Sequence, residues 1–575
     1  MRLISLTANK SSFQKINFKD GVNLIVGSKN NPKSDDLKDT YNGVGKSLII
    51  QLVHFCLGCE SIKEFEKKLP GWEFQLEFSV DNKPHCSTRG TKEQRKVNFD
   101  GEQISIDQYK NILKKIVFNL EPSVKYLSFR SLISRFIRPS KGSYLSFDTY
   151  IPKETDFYKL LNNAYLLGLD IEPIIRKRIL KTEYERVKEL KKNLQSDEIF
   201  NEYFTDGQNI DIEIIDTKDK IKKLEKDLSL YKVSEDYYQI QSDSDRLKNE
   251  LTDVKNQILL LNNSIEYINK SLVLKTDLNS DRLIKFYEEA SIVLSNHIIK
   301  TIKDVETFHR ELSDSRATRL TSERIKLREQ KQELDLKRKK LSANLDNKLK
   351  YLGTHGALDE FVVLNESLSE LLNKLDKLNT YNDLQSQYKS KLEGFDLEFD
   401  QEKVEASKYL ITAKTILENN IRIFRSLSKE FYQDKPGGIV VTNNEGTNQL
   451  RFNIDAKIED DASDGINEVK IFCFDLTLLL AKNRHNVDFI FHDSRLFSNM
   501  DPRQFTTLLK IAQKKAGITY QYIASVNENL LNDAKEYLKS DFQQIVEENV
   551  ILRLTDESEK SKLLGIQIDM DYESR

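Results

Sequence analysis

The 575-residue chain is 38% hydrophobic and 31% charged, which is too polar for a single large compact core. Its formal net charge of −2 gives no overall attraction to nucleic acid, so any such binding needs local basic patches. Four cysteines do not make a disulfide framework, and neither a signal-peptide pattern nor a membrane-spanning apolar run is visible, so we expect a cytoplasmic protein that does not enter a membrane.

The first motif is a glycine-containing loop, "NGVGKS", which follows the apolar strand "GVNLIVGSK" and opens an amphipathic helix. Gly43 and Gly45 permit a curled backbone whose N–H groups surround phosphate oxygens. Lys46 would reach the β and γ phosphates of ATP, and Ser47 would bind Mg²⁺. The spacing therefore predicts a nucleotide site formed by Asn42, Gly43, Gly45, Lys46 and Ser47.

The loop departs from the complete phosphate-loop pattern, which has a further glycine where this chain has Thr40. A polar insert, "SKNNPKSDDLKDTY", separates Gly27 from the loop. Either the insert bulges out and Gly27 supplies the missing turn, or the loop is merely glycine-containing. The strand before and the helix after favour nucleotide binding.

The next segments alternate strand and turn signals and then become basic. "GWEFQLEFSVD" alternates apolar and polar residues like a half-exposed strand, and Asp100-Gly101 is a hairpin signal. Residues 122–147 contain no acidic side chain, and aromatic residues alternate with the basic ones. This segment is either an amphipathic helix with an apolar core face and a solvated basic face, or a contact surface for the nucleotide, for DNA or for both. The nucleic-acid candidates are Lys125, Arg130, Arg135, Arg138 and Lys141.

The central part of the chain is predicted to be helical. No proline occurs between Pro173 and Pro436, and apolar residues alternate at spacings of four and three from Leu247 to Leu272 and again from Phe361 to Leu378. Either arm could pair with another chain, but globular flanks on both sides favour one antiparallel hairpin. A second basic run, "RATRLTSERIKLREQKQELDLKRKK", is either a solvated face or a nucleic-acid contact.

The C-terminal flank returns to alternating strands and helices. A hairpin, "GGIVVTNNEGTNQLRFNIDAKI", precedes the helix "NEVKIFCFDLTLLLAKN", the strand that begins "FIFHDSRLFSNMD", a second helix and the strand "TYQYIAS". This alternation predicts a mainly parallel α/β sheet with halves from opposite ends of the chain. The predicted divisions are 1–172 (N-terminal half-head), 173–284 (outgoing arm), 285–316 (apex), 317–435 (returning arm) and 436–575 (C-terminal half-head).

These pieces in this order resemble the SMC, RecF and RecN superfamily of ABC-type ATPases. The resemblance implies an ABC-type head assembled from both ends of the chain, with a long inserted coiled-coil hairpin. It also implies that Asp493 is the Walker B aspartate and a Mg²⁺ ligand, and that Asp501 is the D-loop aspartate. Ser463 and Gly465 in "SDGINE" lie where the signature motif would be, and such a motif caps the nucleotide of a second subunit, so a homodimer with sandwiched ATP is expected.

Departures from that superfamily put ATP hydrolysis in question. Ser494 replaces the glutamate that would polarise the attacking water, and Ser525 or Asn527 lies where a switch histidine is usual. No Q-loop glutamine can be assigned, and Glu468 and Glu528 are weaker candidate bases. A serine is a poor general base near neutral pH, and such assistance is typically worth about 10²–10⁴-fold, so slow turnover is expected.

The C-terminal stretch also resembles a bacterial family of uncharacterised function that carries "HDS..F....D..Q". Members of that family occur as the ATPase of ABC-three-component and related anti-phage defence operons. The resemblance makes Ser494, Asp501 and His492 the catalytic candidates, although His492 has packing as its alternative because neighbouring strand residues point to opposite faces.

The function this resemblance implies is an ATP-gated protein that senses DNA and controls an effector encoded in the same operon. The alternatives are a nucleotide-locked scaffold that holds protein partners without DNA, and a DNA-repair ATPase in the manner of RecN or RecF.

Overall fold

The computed structural model describes residues 1–29, 43–196, 210–229, 238–273, 302–351, 355–459, 465–517 and 519–568. Its residues form two compact units. The head contains Met1–Ile179 and Asp400–Arg575, and the coil contains Leu180–Asp281 and Lys303–Phe399. The fold class predicted from the sequence is confirmed, because both ends of the chain build one α/β head and long helices occupy the middle.

The head begins with strands β1–β7 and helices α1–α5. The strands are Arg2–Ala8, Ile16–Asn17, Gly21–Ser28, Glu73–Val80, Lys83–Gly90, Lys96–Phe99 and Glu102–Ser105. The helices are Lys46–Cys56, Lys63–Lys68, Ile106–Phe118, Phe129–Ile133 and Asp156–Leu166.

Five long helices follow, and the head is then completed. Helices α6–α10 are Glu172–Gln195, Ile210–Ser229, Tyr238–Val273, Ile302–Tyr351 and His355–Thr412. Helices α11–α15 are Lys414–Phe431, Ile466–Ala481, Pro502–Ala516, Glu528–Leu538 and Phe542–Ile545, and strands β8–β12 are Gly437–Asn443, Phe452–Ile458, Phe489–His492, Gln521–Asn527 and Val550–Thr555.

A four-stranded parallel sheet joins the two ends of the chain. Its order is β10-β11-β3-β12, so the N-terminal strand β3 lies between two C-terminal strands. β3 is almost entirely buried, as expected for a central parallel strand. Because the carboxyl ends of parallel strands share one edge, this order brings the residues after β3, β10 and β11 together.

A larger antiparallel sheet, β2-β1-β4-β5-β6-β7, belongs to the N-terminal half of the head. The predicted Asp100-Gly101 hairpin joins β6 to β7, and both residues have positive φ, as in a type I′ turn. Asp81 and Asn82 form the same kind of turn between β4 and β5. The sequence signals for these strands are therefore confirmed.

The head also includes helix α11 and the last turns of α10, which the sequence had assigned to the returning arm. Phe424, Leu427 and Phe431 of α11 are buried, and the Phe431 ring packs edge-on against Phe472 of α12, with centroids 5.9 Å apart. This buried face places α11 in the head, and the unit boundary lies before it, between Phe399 and Asp400.

The coil helices pair in antiparallel fashion. Arg324 of α9 donates to Asn269 of α8 at 3.1 Å, and Lys348 further along α9 pairs with Asp243 nearer the start of α8 at 2.7 Å. Val254 and Ile258 of the predicted seam are buried against α9. The predicted apex lies largely outside the described residues, apart from 302–316, which begin α9. Among the described residues, none of the helices has the length and apolar character needed to cross a membrane.

Candidate nucleotide-binding site

The phosphate loop enters helix α1 through two glycines in the left-handed region. Gly43 has a φ of 78°, and Gly45, which caps the helix, has a φ of 105°. Only glycine adopts such angles without steric cost. The backbone N–H groups at this helix start carry a partial positive charge, which suits a phosphate.

Lys46 is the first residue of α1, and its side chain packs against Gly27 of β3. A Cβ atom at Gly27 would lie 2.8 Å from Cδ and 3.0 Å from Cε of Lys46, and would overlap its Nζ. Gly27 is within β3, so it supplies clearance for the lysine rather than the missing turn. Burial lowers the pKa of Lys46 to about 8, although the nearby Asp493 carboxylate acts in the opposite direction.

Asp493 follows β10 and meets the phosphate loop directly. The Ser47 hydroxyl donates to Asp493 Oδ2 at 2.9 Å, across 446 positions of sequence. Arg495 Nε lies 3.4 Å from the same oxygen. The loop and the Asp493 strand therefore converge at one point of the sheet edge.

The other carboxylate oxygen of Asp493 is held inside the protein. Oδ1 accepts hydrogen bonds from the Ser525 hydroxyl at 2.5 Å and from the Ser494 N–H at 2.9 Å. Ser525 Oγ also accepts from the Ser494 N–H at 3.1 Å. The Ser494 hydroxyl donates to Oδ1 at 3.4 Å, so it faces the carboxylate. These contacts fix Oδ1 and leave Oδ2 on the side of the loop.

The donor set fits Mg²⁺, which prefers hard oxygen ligands and usually keeps several waters beside one or two protein ligands. Ser47 supplies a hydroxyl and Asp493 a carboxylate within hydrogen-bonding distance of each other. Across the residues that the structure describes, no group of three or more His, Cys, Asp or Glu side chains could hold a metal by itself. A metal here would thus need further ligands from water or phosphate.

A buried ionic network lies behind Asp493 and joins the two halves of the head. Asp475 of α12 accepts two hydrogen bonds from Arg138, at 2.6 and 2.8 Å, one from Tyr150 at 2.6 Å and one from His492 at 3.0 Å. Burial would raise the pKa of Asp475, but the Arg138 charge and these hydrogen bonds lower it overall. Arg138 comes from the N-terminal half, and Asp475 and His492 come from the C-terminal half.

Arg138 also organises the loop that contacts Asp493. Its guanidinium donates to the carbonyl oxygens of Phe147 at 2.8 Å and Thr149 at 3.0 Å. From this loop the Tyr144 hydroxyl accepts a hydrogen bond from the Asp493 N–H at 2.8 Å. Burial, and then the Asp493 charge, raise the pKa of Tyr144, so its hydroxyl stays protonated.

His492 is fully buried, and its contacts favour the packing role over the catalytic one that the resemblance suggested. One ring nitrogen contacts Asp475, and the other lies 3.2 Å from the Tyr522 hydroxyl. Burial lowers the pKa of His492, so the ring is neutral near pH 7. With both ring nitrogens bonded to other side chains, His492 fits the packing alternative.

The basic segment is corrected in the same way, because three of its five candidates are interior. Arg135 forms a fully buried ion pair with Glu154 at 2.7 Å, Arg130 pairs with Glu60, and Arg138 is in the Asp475 network. These guanidinium groups stabilise the head and are not available to phosphates of DNA. Only two of the candidates, Lys125 and Lys141, are exposed.

The remaining predicted residues are helix caps or lie outside the described residues. Asp501 caps helix α13, where Oδ1 accepts from the Gln504 N–H at 2.7 Å. Gly465 caps α12 and faces Gln504, because a Cβ there would be 2.9 Å from Gln504 Oε1. Asn42 and Ser463 lie outside the described residues.

Three residues of the site were not identified from the sequence. The sequence suggests only a turn at Gly27, Tyr144 is one of several aromatic residues of the basic segment, and Asp475 belongs to no motif. Asp475 did carry a signal, because one carboxylate in the apolar run "FCFDLTLL" requires a buried cationic partner. Gly27 and Tyr144 carried no such signal in the sequence, since their roles depend on tertiary contacts.

The fold and the site together define an α/β head of the ABC type with an inserted coil. A family model described as "Uncharacterised protein conserved in bacteria (DUF2326)" matches residues 427–568, a range that includes the Asp493 strand. No curated protein matches the sequence.

Several solved structures are similar to the chain. One is the Smc head domain with a coiled coil and joint from Pyrococcus yayanosii, with 15% identity over 96% of this chain and 94% of that one and a TM-score of 0.39. Another is the Smc head domain with an extended coiled coil bound to the C-terminal domain of ScpA from Pyrococcus furiosus, with 11% identity over 93% and 92% and a TM-score of 0.32. With TM-scores below 0.5, the functional conclusions depend on the site itself.

Proposed function

We propose that the chain is an SMC-like ATP-binding protein whose phosphate loop and Asp493 form one Mg²⁺-dependent nucleotide site. The observation that carries this proposal is the 2.9 Å hydrogen bond between Ser47 Oγ and Asp493 Oδ2. Two motifs 446 positions apart meet in the arrangement that a Mg²⁺-nucleotide site needs. Their meeting depends on the strand order of the parallel sheet, which the sequence does not state directly.

Each group has a defined task in the proposed site. The N–H groups at Gly45 and Lys46 bind phosphate oxygens, and the Lys46 ammonium neutralises their charge. Ser47 and Asp493 would hold Mg²⁺, which would supply charge neutralisation and orientation of the phosphates. Ser525 and the Ser494 N–H keep the Asp493 carboxylate in one orientation.

Hydrolysis is proposed to be slow because no carboxylate follows Asp493. Ser494 occupies that position, and its hydroxyl is directed at Asp493 Oδ1. The same observation favours the second candidate function, a nucleotide-locked scaffold with negligible turnover. The two candidates differ in turnover and not in nucleotide binding.

We further propose that ATP joins the heads of two copies. In this proposal the protein senses DNA and controls an effector protein in anti-phage defence. The N-terminus of α12 at Gly465 would cap the nucleotide of the other copy. For DNA, support now comes mainly from α9, which has several exposed basic side chains: Arg319, Lys326, Arg328, Lys337, Lys339 and Lys340. Such side chains suit sequence-independent phosphate contacts. Cytoplasmic location remains part of this proposal.

The test measures ATP turnover and ATP-dependent dimerisation of the purified protein, with and without linear double-stranded DNA. Lys46→Ala is the test variant, and Lys68→Ala, an exposed lysine of α2, is the matched control. Turnover that DNA stimulates and that only Lys46→Ala abolishes supports the sensor. Dimerisation by ATP without turnover supports the scaffold, and the absence of both would refute the sensor and the scaffold alike.

A further inference from the structure

A β-turn near the C-terminal end packs directly on the phosphate loop. Gly565 N–H donates to Lys562 O at 3.0 Å, which closes a turn with Leu563 and Leu564 at its centre. The Leu563 N–H donates to the carbonyl oxygen of Val44, inside the loop, at 3.1 Å. Leu563 and Val44 are both buried. The loop thus has a backbone partner from the far end of the chain.

This hydrogen bond sets the orientation of one peptide group in the loop. In a trans peptide, the carbonyl oxygen and the amide hydrogen point in opposite directions. Because Val44 O points at Leu563, the N–H of Gly45 points away from the turn. Gly45 N–H is one of the groups that the proposed site uses to bind phosphate.

The side chain of Leu563 makes the contact close as well as directional. A Cβ atom at Gly45 would lie 2.6 Å from Leu563 Cβ, so only glycine permits this approach. Gly45 also has its φ of 105°, which a residue with a side chain rarely adopts. Glycine is therefore required at position 45 both by the close approach of Leu563 and by the positive φ of the backbone there.

The turn is anchored on its other side by the segment after β1. Gln14 N–H donates to Leu563 O at 2.8 Å, and Gln14 Nε2 donates to Lys560 O at 2.8 Å. The Ser12 hydroxyl donates to Leu564 O at 2.8 Å. These contacts hold the turn independently of the loop, so it can act as a fixed support.

We propose that the turn Lys562–Gly565 is a clamp that holds the phosphate loop in its phosphate-binding conformation before a nucleotide arrives. This inference rests on the proposed function, which gives the loop its ligand, a nucleoside polyphosphate. Its key donor is the Leu563 N–H, a positioning group that does not itself touch the nucleotide. Without the clamp, the Val44–Gly45 peptide loses this hydrogen bond, and nucleotide binding must supply the missing order.

Leu563→Pro removes this donor and puts the proline Cδ where the N–H met Val44 O, so the contact with the loop must open while the turn itself can be kept. Proline suits the second position of a type I or II turn, and the preceding Lys562 has φ −89° and ψ 162°, which a following proline favours. Leu563→Ala is the matched control, because it removes the same side chain and keeps the N–H. A net hydrogen bond corresponds to roughly 2- to 13-fold in an equilibrium constant, so Leu563→Pro, whose ring also displaces Val44 O, should bind ATP more weakly than Leu563→Ala by at least about that factor.

The second readout is hydrogen exchange of the full-length protein without nucleotide. Amides of residues 43–48 should exchange faster in Leu563→Pro than in Leu563→Ala. Equal exchange and equal ATP affinity in the two variants would overturn the clamp. If Leu563→Pro does not fold, Gln14→Ala serves instead, with a smaller increase in exchange expected, and unchanged exchange at 43–48 would overturn the proposal. Faster exchange in Leu563→Pro with no ATP binding by the unsubstituted protein would support the clamp and refute the nucleotide function.

Discussion

Replacing Asp475 by alanine should strongly destabilise the head. Asp475 accepts four hydrogen bonds and is the carboxylate paired with the fully buried Arg138. Removing one partner of a buried ion pair typically costs about 3–5 kcal/mol, because the other charge remains buried and unpaired. The pair joins Arg138 of the N-terminal half to α12, so the loss should reduce the free energy of unfolding of the whole head.

The assay is urea denaturation followed by the fluorescence of Trp72, the sole tryptophan, which is buried beside β4 of the head. Asp455→Ala is the control, because Asp455 pairs with exposed Lys457 at 3.6 Å and exposed pairs contribute about 0–1 kcal/mol. The double variant Arg138→Met with Asp475→Leu removes both charges and should recover only part of the loss, because the carbonyl oxygens of Phe147 and Thr149 and the Tyr150 hydroxyl lose these partners. A change below about 1 kcal/mol for Asp475→Ala would refute this account of the network.

Three further predictions concern the site and the pH dependence of stability. Ser525→Ala should weaken Mg²⁺-dependent ATP binding by roughly 10-fold or more, since hydrogen bonds to charged groups contribute about 1.5–3 kcal/mol. ATP binding in EDTA should stay unchanged, and a calorimetric titration that shows equal effects with Mg²⁺ and with EDTA would contradict this prediction. Gly27→Ala should displace Lys46 and weaken ATP binding, because the added Cβ would overlap the end of the Lys46 side chain. Gly90→Ala, whose Cβ would meet nothing nearer than 3.8 Å, should bind ATP normally. Burial lowers the pKa of His485 to about 4, so below the ordinary histidine pKa of about 6.5 the unfolded state binds a proton that the folded state does not. The free energy of unfolding should therefore fall by up to about 3 kcal/mol as the pH drops from 6.5 to 4. His485→Gln should lack this component, and a pH profile of stability that the substitution leaves unchanged would count against it.

The sequence was sufficient for elements whose signals are local. The Asp100-Gly101 hairpin, strand β4 and the coiled-coil seam through Val254 and Ile258 all form where their patterns predicted. The antiparallel order of the arms was also predictable, because globular segments flank the helices on both sides. Local turn chemistry and hydrophobic periodicity determine such features with little help from the rest of the chain.

The site could be predicted from the sequence only where a motif assigns a role to individual residues. Lys46, Ser47 and Asp493 were identified individually, but their common location depends on β3 lying beside β11. The basic segment was ambiguous for a physical reason, since a buried arginine with a distant carboxylate looks the same in sequence as an exposed one. Arg138 illustrates this, because its partner Asp475 is 337 positions away.

The most direct test of the nucleotide site is calorimetric titration of the full-length protein with ATP, with and without Mg²⁺. The unsubstituted protein should bind ATP more tightly with Mg²⁺, Asp493→Asn should lose that Mg²⁺-dependent increase, and Lys46→Ala should lose binding in both conditions. Failure of the unsubstituted protein to bind ATP, or equal binding by Lys46→Ala, would contradict the proposed site.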